Sequence, residues 1–280
     1  MGLLKTIETS ALKRAFHFDA GIAEKENVLK KSIKTAAICM VLCISTAALF
    51  VTGCAGGSAE TKSSGTYFSV QEVRDSPEWV TKLDVAKDSD QFIVVAGVDK
   101  TTAYITMHEK DSDGKWKQII STPGFIGKDG LGVANWKEAY TPVGTFTIDK
   151  AFGLAEDPGC QMEYTQVDGD WWWSGDYRPD HHFNELVNIR DIPDLDQEES
   201  ERIADYDYAY QYVLNMGYNA EGIPENGCAF FFHSFRVNRT YTGGCVAVPE
   251  DIMKFIMQHV KPGCKITIDS LEHFGGDLDA

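Results

Sequence analysis

Positive charge is scarce in this 280-residue chain: 26 Lys and Arg face 42 Asp and Glu, a formal net charge of −16. After residue 53 the deficit deepens to 19 positive against 38 negative side chains. A surface of that sign repels phosphate backbones and weighs against nucleic acid as a partner. Solvation accounts for most such surfaces, so the charge by itself names no cationic partner. Internal repeats are lacking, which sets aside solenoid and propeller architectures. Metal-ligand spacing of the HExxH kind is also missing, and adjacent residues such as His181-His182 seldom chelate one ion, so no metal is expected. What is present is ordinary globular composition, 43% hydrophobic and 11% aromatic, in a chain long enough to bury a core.

Long uncharged runs are absent with one exception, residues 35–53, which follow Lys30, Lys31 and Lys34 and end in Val51-Thr52-Gly53-Cys54. A basic start, an apolar stretch and small residues at the cut describe a secretory signal. The tetrapeptide resembles a lipobox, in which the Cys54 thiol is acylated and anchors the protein to a membrane. An uncleaved spanning helix is the alternative, since ~20 apolar residues cross a bilayer. Either way the remainder is expected outside the cytoplasm. About thirty residues precede the signal, and translation is expected to start near Val28 or Leu29. The chain is therefore divided into a signal region (1–53), the lipidated Cys54 with a flexible linker and poorly defined lead-in (54–85), and one domain (86–280). Residues 55–66 are mostly Gly, Ser, Thr, Ala and Lys, a composition that cannot bury a core.

The domain reads as mostly β, a single sandwich with a few short helices. Residues 92–96, 102–108, 116–121, 144–148 and 265–269 carry strand composition, and Asp111-Ser112-Asp113-Gly114 supplies a hairpin turn between the second and third. Residues 206–218 place Tyr206, Tyr208, Tyr210, Tyr212, Leu214, Met216 and Tyr218 at every second position, which predicts one long strand, with 197–205 a short helix or loop before it. Residues 229–232 form a wholly apolar strand ending in His233-Ser234. Pro249 opens a helix whose buried stripe is Ile252, Phe255, Ile256 and Val260.

Thr242-Gly243-Gly244-Cys245-Val246 carries the chemistry. Two glycines let the backbone approach a ligand closely and aim several amide N–H groups at one point, as a carbonyl oxygen gaining charge requires. Cys245 supplies a nucleophile only as thiolate, so it needs a base, and His233 lies at the end of a rigid strand. Ser234 is placed to orient the imidazole through its carbonyl or hydroxyl. The same residues also fit a tight loop with a buried thiol and a satisfied core histidine.

The sequence resembles the L,D-transpeptidase catalytic domain family (YkuD-type), in the form where Thr-x-Gly precedes the Cys. The matching pieces are Tyr140-Thr141-Pro142-Val143-Gly144-Thr145-Phe146, Gly169-Asp170-Trp171-Trp172, Gly217-Tyr218-Asn219, Phe231-Phe232-His233-Ser234 and Thr242-Gly243-Gly244-Cys245-Val246-Ala247-Val248-Pro249. The resemblance implies a β-sandwich with Cys245 as nucleophile, His233 as base, Ser234 as orienting residue, and the amides of Gly243, Gly244 and Cys245 as oxyanion hole. Tyr218, Thr242 and Trp172 would meet the substrate, a peptidoglycan stem peptide. It implies no metal, no organic cofactor and no obligate protein partner. Many family members have His before the Gly-Cys where this chain has Gly243, so the acceptor side is expected to differ.

Other readings stand beside this one. Trp171-Trp172-Trp173, Tyr177, His181, His182 and Phe183 fall in a long stretch between strands and form either a lid over the cleft or packing. Cys160, Cys228 and Cys264 allow one disulfide or buried thiols, and a disulfide through Cys245 would remove the nucleophile. Three functions follow: a transpeptidase or carboxypeptidase, a related cysteine hydrolase, and a non-catalytic wall-binding lipoprotein.

Overall fold

The computed structural model describes residues 72–235 and 239–278. The expectations for the signal region, the lipidated Cys54 and the linker lie outside the described residues. Among those residues no helix is long and apolar enough to cross a membrane.

Among the described residues sixteen strands follow one another. They are β1 (Arg74–Asp75), β2 (Gln91–Gly97), β3 (Thr102–Lys110), β4 (Trp116–Phe125), β5 (Gly130–Gly132), β6 (Tyr140–Pro142), β7 (Gly144–Thr147) and β8 (Lys150–Gly153). Then come β9 (Tyr164–Gln166), β10 (Trp171–Trp173), β11 (Leu186–Asn188), β12 (Glu201–Arg202), β13 (Val213–Asn215), β14 (Phe231–Ser234), β15 (Val246–Val248) and β16 (Lys265–Ser270). Ten of them run in the order β7-β16-β2-β3-β4-β15-β14-β13-β8-β9, with β1 paired on β4, in one eleven-stranded sheet. The domain is mostly β, as expected, and is built on this one curled sheet.

Period two explains how the sheet is covered. In β2, Ile93 and Val95 face the main core, while Phe92, Val94 and Ala96 face Trp79, Val80, Val85 and Ala86. The continuous apolar run at 92–96 is thus a strand buried on both faces. The second face is covered by residues before the first expected strand: β1, the helix Glu78–Thr81 and a 3-10 turn at Asp84–Ala86. The β3–β4 hairpin forms as predicted, with Asp111 Oδ1 accepting from the N–H groups of Asp113 and Lys115.

The helix Glu250–His259 begins directly after Pro249, with Glu250 and Asp251 in its first turn. It buries Ile252, Met253, Ile256 and Met257 in the main core. Phe255, expected in the stripe, is half-buried and stacks on His259 at 4.0 Å.

Residues 206–218 correct the sequence reading. Only Val213–Asn215 is a strand; Ile203–Tyr206 is a 3-10 turn, and the N–H groups of Ala209 and Tyr210 both bond to the Tyr206 carbonyl at 2.8 Å. The tyrosines pack on each other locally, Tyr206 on Tyr210 at 5.0 Å, so alternation of size here reports a cluster rather than a pleat. Residues 229–232 shift as well. Ala229 has φ +62°, which breaks the ladder, and the strand runs Phe231–Ser234 with His233 inside it. Residues 171–173, placed between strands by the sequence reading, form the centre of a separate sheet ordered β11-β10-β12.

Candidate active site

The site forms where β14 and β15 lie side by side. They pair in parallel, His233 opposite Ala247 and Phe232 opposite Val246. One step back, Phe231 faces Cys245, and the Phe231 N–H donates to Cys245 Sγ at 3.3 Å. Phe232, Val246 and Val248 point into the main core, whereas Phe231 and Cys245 belong to a second cluster on the opposite face. His233, two residues after Phe231, shares that face. Strand rise and spacing set the Cα atoms of His233 and Cys245 about 8 Å apart on adjacent strands. Both residues are 9% exposed.

Ser234 settles how the imidazole is oriented. His233 Nδ1 lies 2.6 Å from the Ser234 carbonyl oxygen. A carbonyl can only accept, so Nδ1 carries the proton, and in the neutral ring Nε2 is left to take one. The Ser234 side chain points to the other face, fully buried, and its Oγ has no hydrogen-bond partner.

Thr242 shapes the turn before Cys245. Its Oγ1 donates to the Cys245 carbonyl at 2.6 Å and accepts from the Gly244 N–H at 3.1 Å. Thr141 Oγ1 reaches the same Cys245 carbonyl at 3.3 Å and accepts from the Gly127 N–H. Gly244 has φ +133°, and a Cβ there would lie 2.7 Å from Phe230 Cε1 and 2.8 Å from the Tyr140 carbonyl oxygen. A Cβ on Gly243 would meet nothing within 4 Å. The Gly244 amide, expected as an oxyanion donor, is committed to Thr242 instead.

Two residues that sequence reasoning missed support the pair, Tyr210 by direct contact with His233 and Asn184 through Ala229. The Tyr210 ring meets the His233 ring edge-on at 5.3 Å, and its hydroxyl donates to Glu201 Oε1 at 2.6 Å. Burial above all, with Glu201 and Cys245 nearby, holds that hydroxyl protonated well above the usual phenol range. Asn184 contacts the backbone at Ala229, whose carbonyl accepts from Cys245 Sγ at 3.4 Å. Tyr210 was visible only as one beat of the tyrosine alternation, and nothing in the sequence marked Asn184.

Of the predicted substrate contacts, Tyr218 lies edge-on to Phe230 at 4.9 Å and to Phe146 at 5.4 Å. With Gly132, Val133, Ala134, Pro142 and Val143 it lines a cleft of about 410 Å³. Phe230 links that cleft to Gly244. Trp172 is not brought to Cys245: Trp171 and Trp173 face the cluster that holds Cys245, so Trp172, between them on β10, points the opposite way. Trp173 is packing, 1% exposed and edge-on to Phe231 at 4.7 Å. His181 and His182 bond separately to Asp194 and Glu185, and the described residues hold no cluster of three or more metal-ligating side chains. Cys160, Cys228, Cys245 and Cys264 take part in no disulfide.

The parallel pair β14–β15 thus sets a thiol and an imidazole on one face, behind a Gly-rich turn. The family model for the L,D-transpeptidase catalytic domain (YkuD) matches residues 91–268, from the start of β2 almost to the end of β16, and the chain belongs to that family. It is also similar to a solved structure, a fused Zn-dependent amidase/peptidase/peptidoglycan-binding domain-containing protein from Clostridium acetobutylicum ATCC 824. Identity there is 16% over 65% of this chain and 52% of that one, with a TM-score of 0.29. The chain thus spans about half the length of that protein, and so low a likeness carries no argument. No curated protein matches the chain.

Proposed function

We propose that the domain is an L,D-transpeptidase of the Thr-x-Gly-Cys form, acting on peptidoglycan stem peptides through Cys245. His233 Nε2 takes the thiol proton, and the sulfur attacks the carbonyl of the third residue in a stem tetrapeptide. The carbonyl oxygen gains negative charge, which the amides of Gly243 and Cys245 receive; losing one such donor typically costs ~3 kcal/mol of barrier. The C–N bond breaks, the imidazolium returns its proton to the departing D-Ala amine, and a thioester remains on Cys245. An amine of a neighbouring stem then attacks the thioester to give a 3→3 crosslink and restores the thiol. Water in place of the amine yields carboxypeptidase action.

The observation that carries this reading is the pairing of β14 with β15, which sets His233 and Cys245 on one face while the Ser234 carbonyl fixes the tautomer. In the same proposal Cys54 is lipidated and tethers the domain outside the cytoplasm, against the wall. A carbapenem, whose strained amide acylates nucleophilic thiols, tests the chemistry. The expected result is a covalent mass gain on Cys245 that is absent in Cys245→Ala. No adduct on the native protein sinks the enzymatic reading. Muropeptide mass spectrometry with two stems supplied then separates linking from cutting.

A further inference from the structure

Asn184 uses every hydrogen-bonding position it has. Its Oδ1 accepts from the Trp173 indole N–H at 2.9 Å and from the Ala229 backbone N–H at 3.1 Å. Its Nδ2 donates to the carbonyls of Tyr218 at 3.1 Å and Asn219 at 3.0 Å. A side-chain amide offers two donors and two acceptor positions, so the set is full. The residue is 9% exposed and lies in the stretch between β10 and β11, so a side chain from the small sheet's own connection reaches three separate segments.

Ala229 is the segment nearest the chemistry. Its φ of +62° lies in the left-handed region, which L side chains other than Asn and Asp rarely enter, so something must hold it there. The Asn184 bond to its N–H does so. The carbonyl of the same residue faces Cys245 Sγ at 3.4 Å. That oxygen can only accept, and it therefore favours S–H over S⁻, while the Phe231 N–H at 3.3 Å favours the anion.

We propose that Asn184 is a positioning residue for the nucleophile: by holding Ala229 it keeps a carbonyl oxygen against Cys245 Sγ and so couples the small sheet to the resting state of the thiol. The proposal rests on the reading of Cys245 as nucleophile and adds to it the group that holds the sulfur at rest. It also ties Tyr218, at the cleft, to the same amide, so movement of either the small sheet or the cleft wall is felt at the sulfur.

The test is Asn184→Ala in the full chain. Iodoacetamide alkylation of the Cys245 peptide is followed from pH 5 to 9 by mass spectrometry, beside carbapenem acylation. Without Asn184 the Ala229 carbonyl leaves the sulfur, and the alkylation midpoint moves to lower pH by half a unit or more. At pH 6 alkylation speeds up about threefold, while acylation, which needs the sulfur aimed, slows tenfold or more. Loosening of the domain would also expose the buried thiol and speed its alkylation, so the return of the midpoint with Ala229→Gly, which repairs only the backbone at 229, is what separates positioning from loosening. Parallel loss of both rates, or no change in either, overturns the proposal. Adding Ala229→Gly supplies a residue at home at φ +62°, and the midpoint returns toward the native one; failure to return also overturns it. If Asn184→Ala does not fold by circular dichroism, Asn184→Asp decides, because it keeps both acceptor bonds. Its midpoint stays at or above the native value, and a lower one overturns the proposal. Alkylation needs no stem peptide, so a native protein that resists carbapenem sinks the functional reading while the midpoint still judges this one.

Discussion

His233 is held by the main chain of its own neighbour: Nδ1 lies 2.6 Å from the Ser234 carbonyl oxygen, while the Ser234 hydroxyl faces the opposite side of the strand with no partner. The orienting group is therefore a backbone atom that substitution of the side chain does not remove. Ser234→Ala is expected to keep carbapenem acylation within about twofold of the native rate. Removing a buried hydroxyl without a partner is neutral or stabilising, so the melting temperature should hold or rise. A tenfold loss of acylation in a folded Ser234→Ala protein would return the role to the hydroxyl.

The two glycines before Cys245 should respond in opposite ways. Gly244→Ala places a Cβ against Phe230 and the Tyr140 carbonyl at φ +133°, a conformation worth roughly 1–3 kcal/mol of strain. Acylation of Cys245 should fall a hundredfold or more. Gly243→Ala meets open space and should keep acylation within about fivefold. Stopped-flow acylation rates for the two variants, side by side, check the contrast; equal losses would count against it.

Thr242→Val keeps the shape of the side chain and removes a hydroxyl that serves both the Cys245 carbonyl and the Gly244 amide. A buried group left without its partner costs ~1–3 kcal/mol. The loss should appear in the acylation rate, about tenfold to a hundredfold, with the fold intact by circular dichroism. If the rate is unchanged, the turn is held by Thr141 and the strand pairing alone.

His108 gives a pH dependence unrelated to catalysis. It is fully buried between Ser76 Oγ at 2.9 Å and Thr106 Oγ1 at 2.7 Å, and burial first, with Arg74 second, lowers its pKa to about 3. The unfolded chain protonates this residue near pH 6.5, the folded one only near 3. Its contribution to stability is therefore complete above about pH 6.5 and is lost as pH falls toward 3, by up to about 1.4 kcal/mol per pH unit. Urea midpoints measured between pH 7 and 5 should fall more steeply for the native protein than for His108→Gln. Identical slopes would show that the ring is reached by water.

Where side-chain chemistry dictates local geometry, the sequence was legible. The apolar run of β2, the Asp-rich turn between β3 and β4, and Pro249 with two acidic residues opening a helix each determine their own structure. The turn of Thr242 before Gly243 and Gly244 was legible too, its hydroxyl bonding the Gly244 amide and the Cys245 carbonyl. The tyrosine alternation misled because period two reports a pleat only where neighbouring strands exist to pair with. Beyond Val213–Asn215 the aromatic rings pair with each other. Trp172 misled for the converse reason: the three tryptophans do form a strand, so the middle one turns its back on the cluster its neighbours fill. Asn184 was invisible because its four partners are backbone groups and one indole, set together only by folding.

The shared seam of β14 and β15 lies mid-ladder, with β15 leaning on β4 and β14 on β13. His233 and Cys245 are thus contributed by opposite wings of one sheet, and neither wing holds both if the other peels away. On the reading proposed above, the reactivity of Cys245 reports on the centre of the ladder: it survives fraying of the outer strands and is lost when the β14–β15 seam opens.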